Sequence, residues 1–124
     1  MTILNGLKIL DFSSLLPGPL ATMMFADLGA EVIHIESERR VDLMRIMPPY
    51  DEDRESYIHQ HLNRSKKSLQ INLKSDEGTD IIKKLVQDYD IVIEGFRPGV
   101  MKRLGIDYET LRRINPRLIY CAIT

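Results

Sequence analysis

The sequence is poor in cysteine, has no excess of one charge and contains no long apolar run. One cysteine in 124 residues excludes a disulfide framework and a cysteine-based zinc site, and it is compatible with a reducing compartment. A formal net charge of -1 argues against nucleic acid or an acidic membrane surface as the main partner. No apolar run approaches the length of a membrane span. We therefore expect a cytoplasmic protein that binds neither nucleic acid nor a membrane.

Common nucleotide-binding and nucleophile motifs are also missing. The sequence has no G-x-G-x-x-G, no G-x-x-x-x-G-K-[ST] and no G-x-S-x-G. His59 and His61 are joined by no cysteine or carboxylate with ligand spacing, so we expect surface histidines and no bound metal. Cys121 lies in an apolar run and is expected to be buried.

Short apolar runs alternate with helical patterns along the chain. Residues 7–12, 31–36, 91–94 and 118–123 are predicted to form strands, and 68–73 a further short strand. Helices are predicted after Pro17, Gly18 and Pro19, after Ser75, and over residues 98–104 and 107–114. Right-handed crossovers between such elements give an α/β fold, a Rossmann-like, doubly wound and mostly parallel sheet.

Three segments are candidates for function or for irregular structure. Residues 37–67 hold charges of both signs and have weak periodicity, so we expect an excursion across the surface. The basic run 63–68, which overlaps the end of this excursion, is expected to be a solvated face. Arg97 lies at the start of the predicted helix 98–104, and Arg103 lies nearly two turns further on. Guanidinium groups near a helix start suit a phosphate or a carboxylate; the alternative is that both are solvated surface charges.

Five blocks in order resemble the N-terminal portion of the class III (family III) coenzyme A transferases, the family that also contains α-methylacyl-CoA racemase. The blocks are residues 4–12, 17–19 with 26–36, 63–69 with 73–78, 94–100 with 103–105, and 114–120. The resemblance implies that residues 1–124 are a single N-terminal coenzyme A-binding domain fragment of a longer, truncated chain. It also implies a homo-oligomer, which in this family is an interlocked dimer.

The resemblance implies contacts with coenzyme A from two parts of the chain. Leu15 would line the pantetheine and adenine region, and Ile71 and Lys74 would flank the adenosine. Two positions depart from family patterns. Ser37 stands where many members have Arg or Lys, and Leu16 stands where formyl-CoA-transferase-like members have glutamine. The second departure is closer to the racemase-like pattern.

The remaining implied contacts follow the predicted strand 91–94. Gly95, Phe96 and Arg97 would form a wall of the nucleotide site, and Arg103 would approach a phosphate. Fixed positive charges suit the 3′-phosphate and diphosphate of coenzyme A.

Three functions remain open from the sequence. The first is coenzyme A transfer between carboxylic acids, in which an aspartate attacks the acyl-CoA thioester. The second is epimerisation of an acyl-CoA by a paired acid and base. The third is a non-catalytic nucleotide-binding or assembly module. The resemblance places the catalytic groups of both enzymes beyond Thr124, so we expect no catalytic residue, and no turnover, in these 124 residues alone.

Overall fold

The structure is a computed structural model that describes residues 2–124. The described residues form five strands and five helices. The strands are β1 Lys8–Phe12, β2 Glu31–Glu36, β3 Lys67–Gln70, β4 Ile91–Glu94 and β5 Ile119–Ala122. The helices are α1 Pro17–Asp27, α2 Tyr57–Leu62, α3 Asp76–Leu85, α4 Val100–Arg103 and α5 Tyr108–Ile114, with 3-10 segments at Leu43–Ile46 and Val86–Asp88.

The strands form one sheet in the order β3-β2-β1-β4-β5, and every pairing is parallel. This arrangement confirms the predicted doubly wound α/β fold. The strand order reverses between β1 and β4, where Leu10 pairs with Ile33 on one side and with Val92 on the other. In open α/β sheets the crevice at the carboxyl ends of the two strands beside this reversal is the usual ligand site.

Apolar side chains cover both faces of the sheet. On one face, Ile9, Val32 and Ile93 pack with Ala26 of α1 and with Ala30. On the opposite face a larger cluster joins the sheet to α3, α4, α5 and the 3-10 segment Val86–Asp88; its buried members include Leu10, Val92, Ile82, Val86, Met101, Ile106 and Leu111. Alternating strand residues therefore point into two separate cores.

Local signals explain where several helices begin and end. Ser75 accepts a hydrogen bond from the amide of Gly78 at 3.1 Å and caps α3, as its sequence predicts. Gly29 has a φ of 103° and follows the end of α1, a conformation that favours glycine. Helix α4 is shorter than the predicted 98–104, because Gly99 takes the left-handed conformation directly before it.

Two features of the sheet edge differ from expectation. Strand β3 ends at Gln70, because Asn72 forms a turn in which its carbonyl accepts from the Ser75 amide. Cys121 is exposed, so the prediction of a buried thiol is wrong. It lies on the same side of edge strand β5 as Ile119, which is 60% exposed, and α1 packs mainly on β1 and β2.

Within residues 2–124, no helix is long and apolar enough to cross a membrane.

The contribution of α3 to the core is testable with two neighbouring isoleucines. Ile82 is fully buried, whereas Ile81 is 44% exposed. We expect Ile82→Ala to lower the free energy of unfolding by about 2–5 kcal/mol, because it leaves a cavity. Ile81→Ala should cost less than about 1 kcal/mol. Urea denaturation followed by circular dichroism measures both values, and equal losses would contradict this packing of α3.

Candidate functional site

The loops after β1 and β4 lie side by side at the reversal of strand order. A methyl group placed on Gly95 would lie 3.9 Å from Cβ of Ser13, so the loop after β4 lies within van der Waals distance of the loop after β1. Gly18 lies against the same serine, and any side chain there would overlap it. The Ser13 turn and the Gly95 loop therefore form one continuous surface at the carboxyl ends of the strands.

Leu15 occupies the outer part of the β1–α1 turn. Its φ of 65° is in the left-handed region, which non-glycine residues rarely adopt, and its side chain is 42% exposed. The amide of Leu15 donates to Oδ1 of Asp42 at 3.4 Å. In the structure the excursion spans residues 37–66, because β3 begins at Lys67. Asp42, a residue of this excursion, thus contacts the backbone of a predicted site residue.

Asp11, near the end of β1, holds the inner part of this turn. Its carboxylate is fully buried and accepts from the Ser13 amide at 2.9 Å, the Ser13 hydroxyl and the Thr22 hydroxyl. These bonds join the strand, the turn and α1 through one side chain. The Asp11 carboxylate thus stabilises a strand-to-helix turn that contains no glycine-rich motif.

Lys66 completes the buried polar cluster. Its side chain is 1% exposed, and Nζ donates to the Pro19 carbonyl at 2.9 Å and to Oδ1 of Asn63 at 3.1 Å. Nζ also lies 3.4 Å from Oδ2 of Asp11. The expected solvated face is therefore wrong at this residue. Burial lowers the pKa of Lys66, and the nearby Asp11 carboxylate opposes that shift.

The same cluster contains a buried histidine. His34 pairs with Asp11 in the β1–β2 register, and its Nδ1 lies 3.7 Å from Oδ2 of Asp11. That separation exceeds a hydrogen bond but allows electrostatic attraction when the imidazole is protonated. Burial alone would raise the pKa of Asp11. The nearby His34 and the donors of Ser13 and Thr22 outweigh burial and lower that pKa to about 2.

His59 lies in the interior rather than on the surface, so that expectation is wrong. It is 7% exposed on α2, and burial, followed by the charge of Arg45, lowers its pKa. Helix α2 contacts the 3-10 segment Leu43–Ile46, which includes Arg45. His61 is exposed and contacts Arg64, as expected of a surface residue.

A second carboxylate organises the loop after β4. Glu94 is buried and accepts from the Phe96 amide at 2.8 Å and from the Tyr120 hydroxyl at 3.3 Å. Phe96 is half-buried, and Arg97 and Gly95 are exposed. The loop therefore presents a glycine, an aromatic edge and a guanidinium group beside the Ser13 turn.

Lys74 and Arg103 line one surface pocket of about 280 Å³, at the start of α3. Both are exposed, and within residues 2–124 neither forms a salt bridge. Ser75 and Thr79 supply hydroxyl groups to the same wall, and Leu73, Leu104 and the carboxylate of Asp76 complete it. Both hydroxyls already donate to backbone carbonyls of residues 72–76, so the two cations and the helix start are the features that suit an anion of phosphate size.

A larger pocket of about 560 Å³ lies on the excursion. It is lined by Arg45, Ile46, Tyr50 and Arg54. Arg45 already forms a two-pronged ion pair with Glu36, with nitrogen–oxygen distances of 2.7 and 3.1 Å, so its charge is committed. This pocket is a weaker candidate for an anionic ligand.

The predicted site residues fall into two groups and one exception. Leu15 and residues 95–97 lie at the reversal of strand order, and Lys74 and Arg103 share the smaller pocket. The side chain of Ile71 is 6% exposed and belongs to the larger core. Sequence reasoning missed Asp11, whose one signal is a carboxylate between apolar residues within a strand pattern.

The buried Asp11 carboxylate predicts a specific acid sensitivity. Because its pKa falls from 3.8 unfolded to about 2 folded, the stability that it contributes is complete above about pH 4 and is lost as the pH falls toward 2. We expect wild type to lose about 2 kcal/mol more than Asp11→Asn between pH 5 and pH 2. Exposed Asp53→Asn is the control, expected to follow wild type. Denaturant unfolding at each pH measures this, and parallel curves for wild type and Asp11→Asn would contradict it.

Comparison with known proteins gives one consistent answer. The model of CoA-transferase family III matches residues 4–124. A succinyl-CoA:mesaconate CoA-transferase of Haloarcula marismortui is 42% identical over 99% of this chain, and a human succinyl-CoA:glutarate CoA-transferase is 42% identical over 98%. A CAIB/BAIF family protein from Brucella suis has a TM-score of 0.92 and 38% identity over 99% of the chain. The chain spans 32%, 28% and 33% of those three proteins. It belongs to CoA-transferase family III.

Proposed function

We propose that this chain binds coenzyme A as the N-terminal part of an enzyme that transfers coenzyme A between carboxylic acids. The observation that carries the proposal is that Lys74 and Arg103 line the same pocket. Both were assigned to coenzyme A from a resemblance in sequence, and they are 29 positions apart along the chain. Their meeting at one surface is what a shared phosphate ligand requires.

The chemistry of the pocket fits the charged end of coenzyme A. A phosphate needs fixed cations, which Lys74 and Arg103 supply beside the start of α3. The carboxylate of Asp76 in the same wall opposes a dianion, so we assign the phosphate to the Arg103 side. Gly99 leaves room there, since a methyl group on it would lie 4.0 Å from Nη1 of Arg103.

The surface at the strand reversal suits the less charged parts of the ligand. Leu15 offers an exposed apolar side chain, and Phe96 an aromatic edge, for the pantetheine chain and the adenine ring. Arg97 is exposed beside them and is a second candidate for the diphosphate. Ile71 would shape the adenosine site from within the core rather than by direct contact.

The reaction class rests on the family and its relatives. The names of those relatives each pair a coenzyme A thioester with a carboxylic acid, which favours acyl-CoA and a carboxylic acid as substrates of the whole protein over racemisation. We assign no catalytic step to residues 2–124, which in this proposal bind and orient coenzyme A. The single exposed cysteine suits a reducing cytoplasm.

We also propose that the protein is a homo-oligomer. Helix α1 is apolar on its outer side as well as on the side that faces the sheet. Four exposed residues spaced four apart form this outer stripe: Leu16, Leu20, Met24 and Leu28, which are 38–57% exposed. Such spacing places them on one face of the helix, and an apolar stripe of this length favours burial against another surface.

The coenzyme A proposal predicts selective loss of binding on removal of Arg103. We expect Arg103→Ala to weaken coenzyme A binding by the 124-residue chain roughly ten- to a hundredfold, because a charge-assisted contact contributes about 1.5–3 kcal/mol. The matched control is Arg112→Ala, since Arg112 is exposed on α5, lies 3.7 Å from Glu109 and does not line the pocket. Isothermal titration calorimetry measures both affinities.

Dephospho-coenzyme A tests which phosphate Arg103 meets. If it meets the 3′-phosphate, wild type should prefer coenzyme A and Arg103→Ala should lose most of that preference. Equal affinities of wild type, Arg103→Ala and Arg112→Ala for coenzyme A would show that Arg103 is a solvated surface charge.

The oligomer proposal predicts a dependence on the α1 stripe. Met24→Glu should shift the chain toward monomer by sedimentation velocity, because a charge in the stripe opposes its burial. Ile81→Glu, an equally drastic change on exposed α3 surface, should leave the distribution of wild type unchanged. A monomeric wild type at tens of micromolar would contradict self-association.

A further inference from the structure

Two carboxylates hold the β1–α1 turn from opposite sides. Asp11 reaches Ser13 from the sheet, and Asp42 reaches Leu15 from the excursion. Oδ1 of Asp42 accepts from the Leu15 amide at 3.4 Å and from the Met44 amide at 3.0 Å. The second bond caps the 3-10 segment Leu43–Ile46. One oxygen atom thus joins the excursion to the turn.

The excursion around Asp42 is itself fixed to the sheet. Arg45, one turn further along, pairs with Glu36 at the end of β2, and Glu36 also accepts from Ser68 of β3 at 3.0 Å. The hydroxyl of Ser56 donates to the Met47 carbonyl at 2.6 Å. Asp42 is therefore presented from an anchored segment rather than from a free loop.

The carboxylate of Asp42 also interacts electrostatically with a buried cation. Its Oδ2 is buried and has no hydrogen-bond partner within residues 2–124. The carboxylate is close enough to the buried ammonium of Lys66 to favour the charged form of that lysine. The Asp11 carboxylate, 3.4 Å from the same ammonium, acts in the same direction.

The conformation of Leu15 needs such support. A leucine at φ 65° is disfavoured by contact between its Cβ and the backbone, so the surroundings must stabilise it. The Leu15 amide donates a hydrogen bond to the carboxylate of Asp42. Without it, the turn is expected to relax toward negative φ, which moves the exposed Leu15 side chain.

We propose that Asp42 is a positioning residue for the ligand site, which holds Leu15 in its left-handed conformation and so links the 37–66 excursion to the coenzyme A-binding turn. This inference rests on the proposed function. It gives the excursion a role in ligand binding although its own larger pocket is a weak candidate site.

The test compares three variants of the 124-residue chain. Asp42→Ala removes the acceptor. Asp42→Asn keeps an Oδ1 acceptor for both amides and removes the charge. The matched control is Asp51→Ala, because Asp51 accepts from the amides of Asp53 and Glu55 at 3.0 and 2.8 Å in the same excursion, away from the turn. Calorimetry gives the affinity for coenzyme A, and NMR chemical shifts report the backbone conformation at Leu15.

We expect Asp42→Ala to weaken coenzyme A binding roughly three- to tenfold and to move Leu15 out of the left-handed region. Asp42→Asn should bind within about twofold of wild type with Leu15 unchanged, and Asp51→Ala should match wild type in both readouts. Rescue by Asn separates positioning through the hydrogen bond from a general effect of charge.

The contrary results are distinct. Wild-type affinity in Asp42→Ala, or a loss in Asp42→Asn as large as in Asp42→Ala, overturns this inference and leaves the proposed function standing. Failure of wild type itself to bind coenzyme A overturns the proposed function, and this inference with it. An unchanged Leu15 conformation in Asp42→Ala overturns the inference whatever the affinity.

Discussion

The buried pairing of Asp11 with Lys66 is the interaction on which the site depends. It brings together a strand end, the first turn of α1 and the segment before β3, which are far apart in sequence. Burying the Lys66 ammonium is costly, and the Asp11 carboxylate offsets part of that cost. The exposed turn that follows β1 is held by the donors and acceptors below it.

Carboxylates also hold the other loops at this surface. Glu94 binds the loop after β4 through the Phe96 amide, and Asp42 binds Leu15 from the excursion. The ligand-facing side chains themselves, Leu15, Arg97 and Arg103, are exposed. Rigid buried acceptors beneath exposed contact residues are what preorganised binding requires, since less ordering then remains to oppose binding.

The sheet was predictable because its strands are short apolar runs bounded by turn residues, and α3 because Ser75 and its isoleucines follow helical rules. The site was only partly predictable. Lys66 reads as one residue of a basic run, and its burial depends on Asp11, 55 positions earlier. Cys121 reads as a core residue, and its exposure depends on which strand lies at the sheet edge. Such facts follow from tertiary neighbours, which no local pattern contains.

In the proposed binding mode, coenzyme A lies across the carboxyl ends of β1 and β4 and reaches the pocket between α3 and α4. Backbone amide shifts of the 15N-labelled chain during titration with coenzyme A test this directly. We expect the largest changes at Leu15, at residues 95–97, and at Lys74 and Arg103. Saturating changes confined to Arg45, Tyr50 and Arg54, which line the larger pocket, would place the ligand on the excursion and would overturn the proposed binding mode.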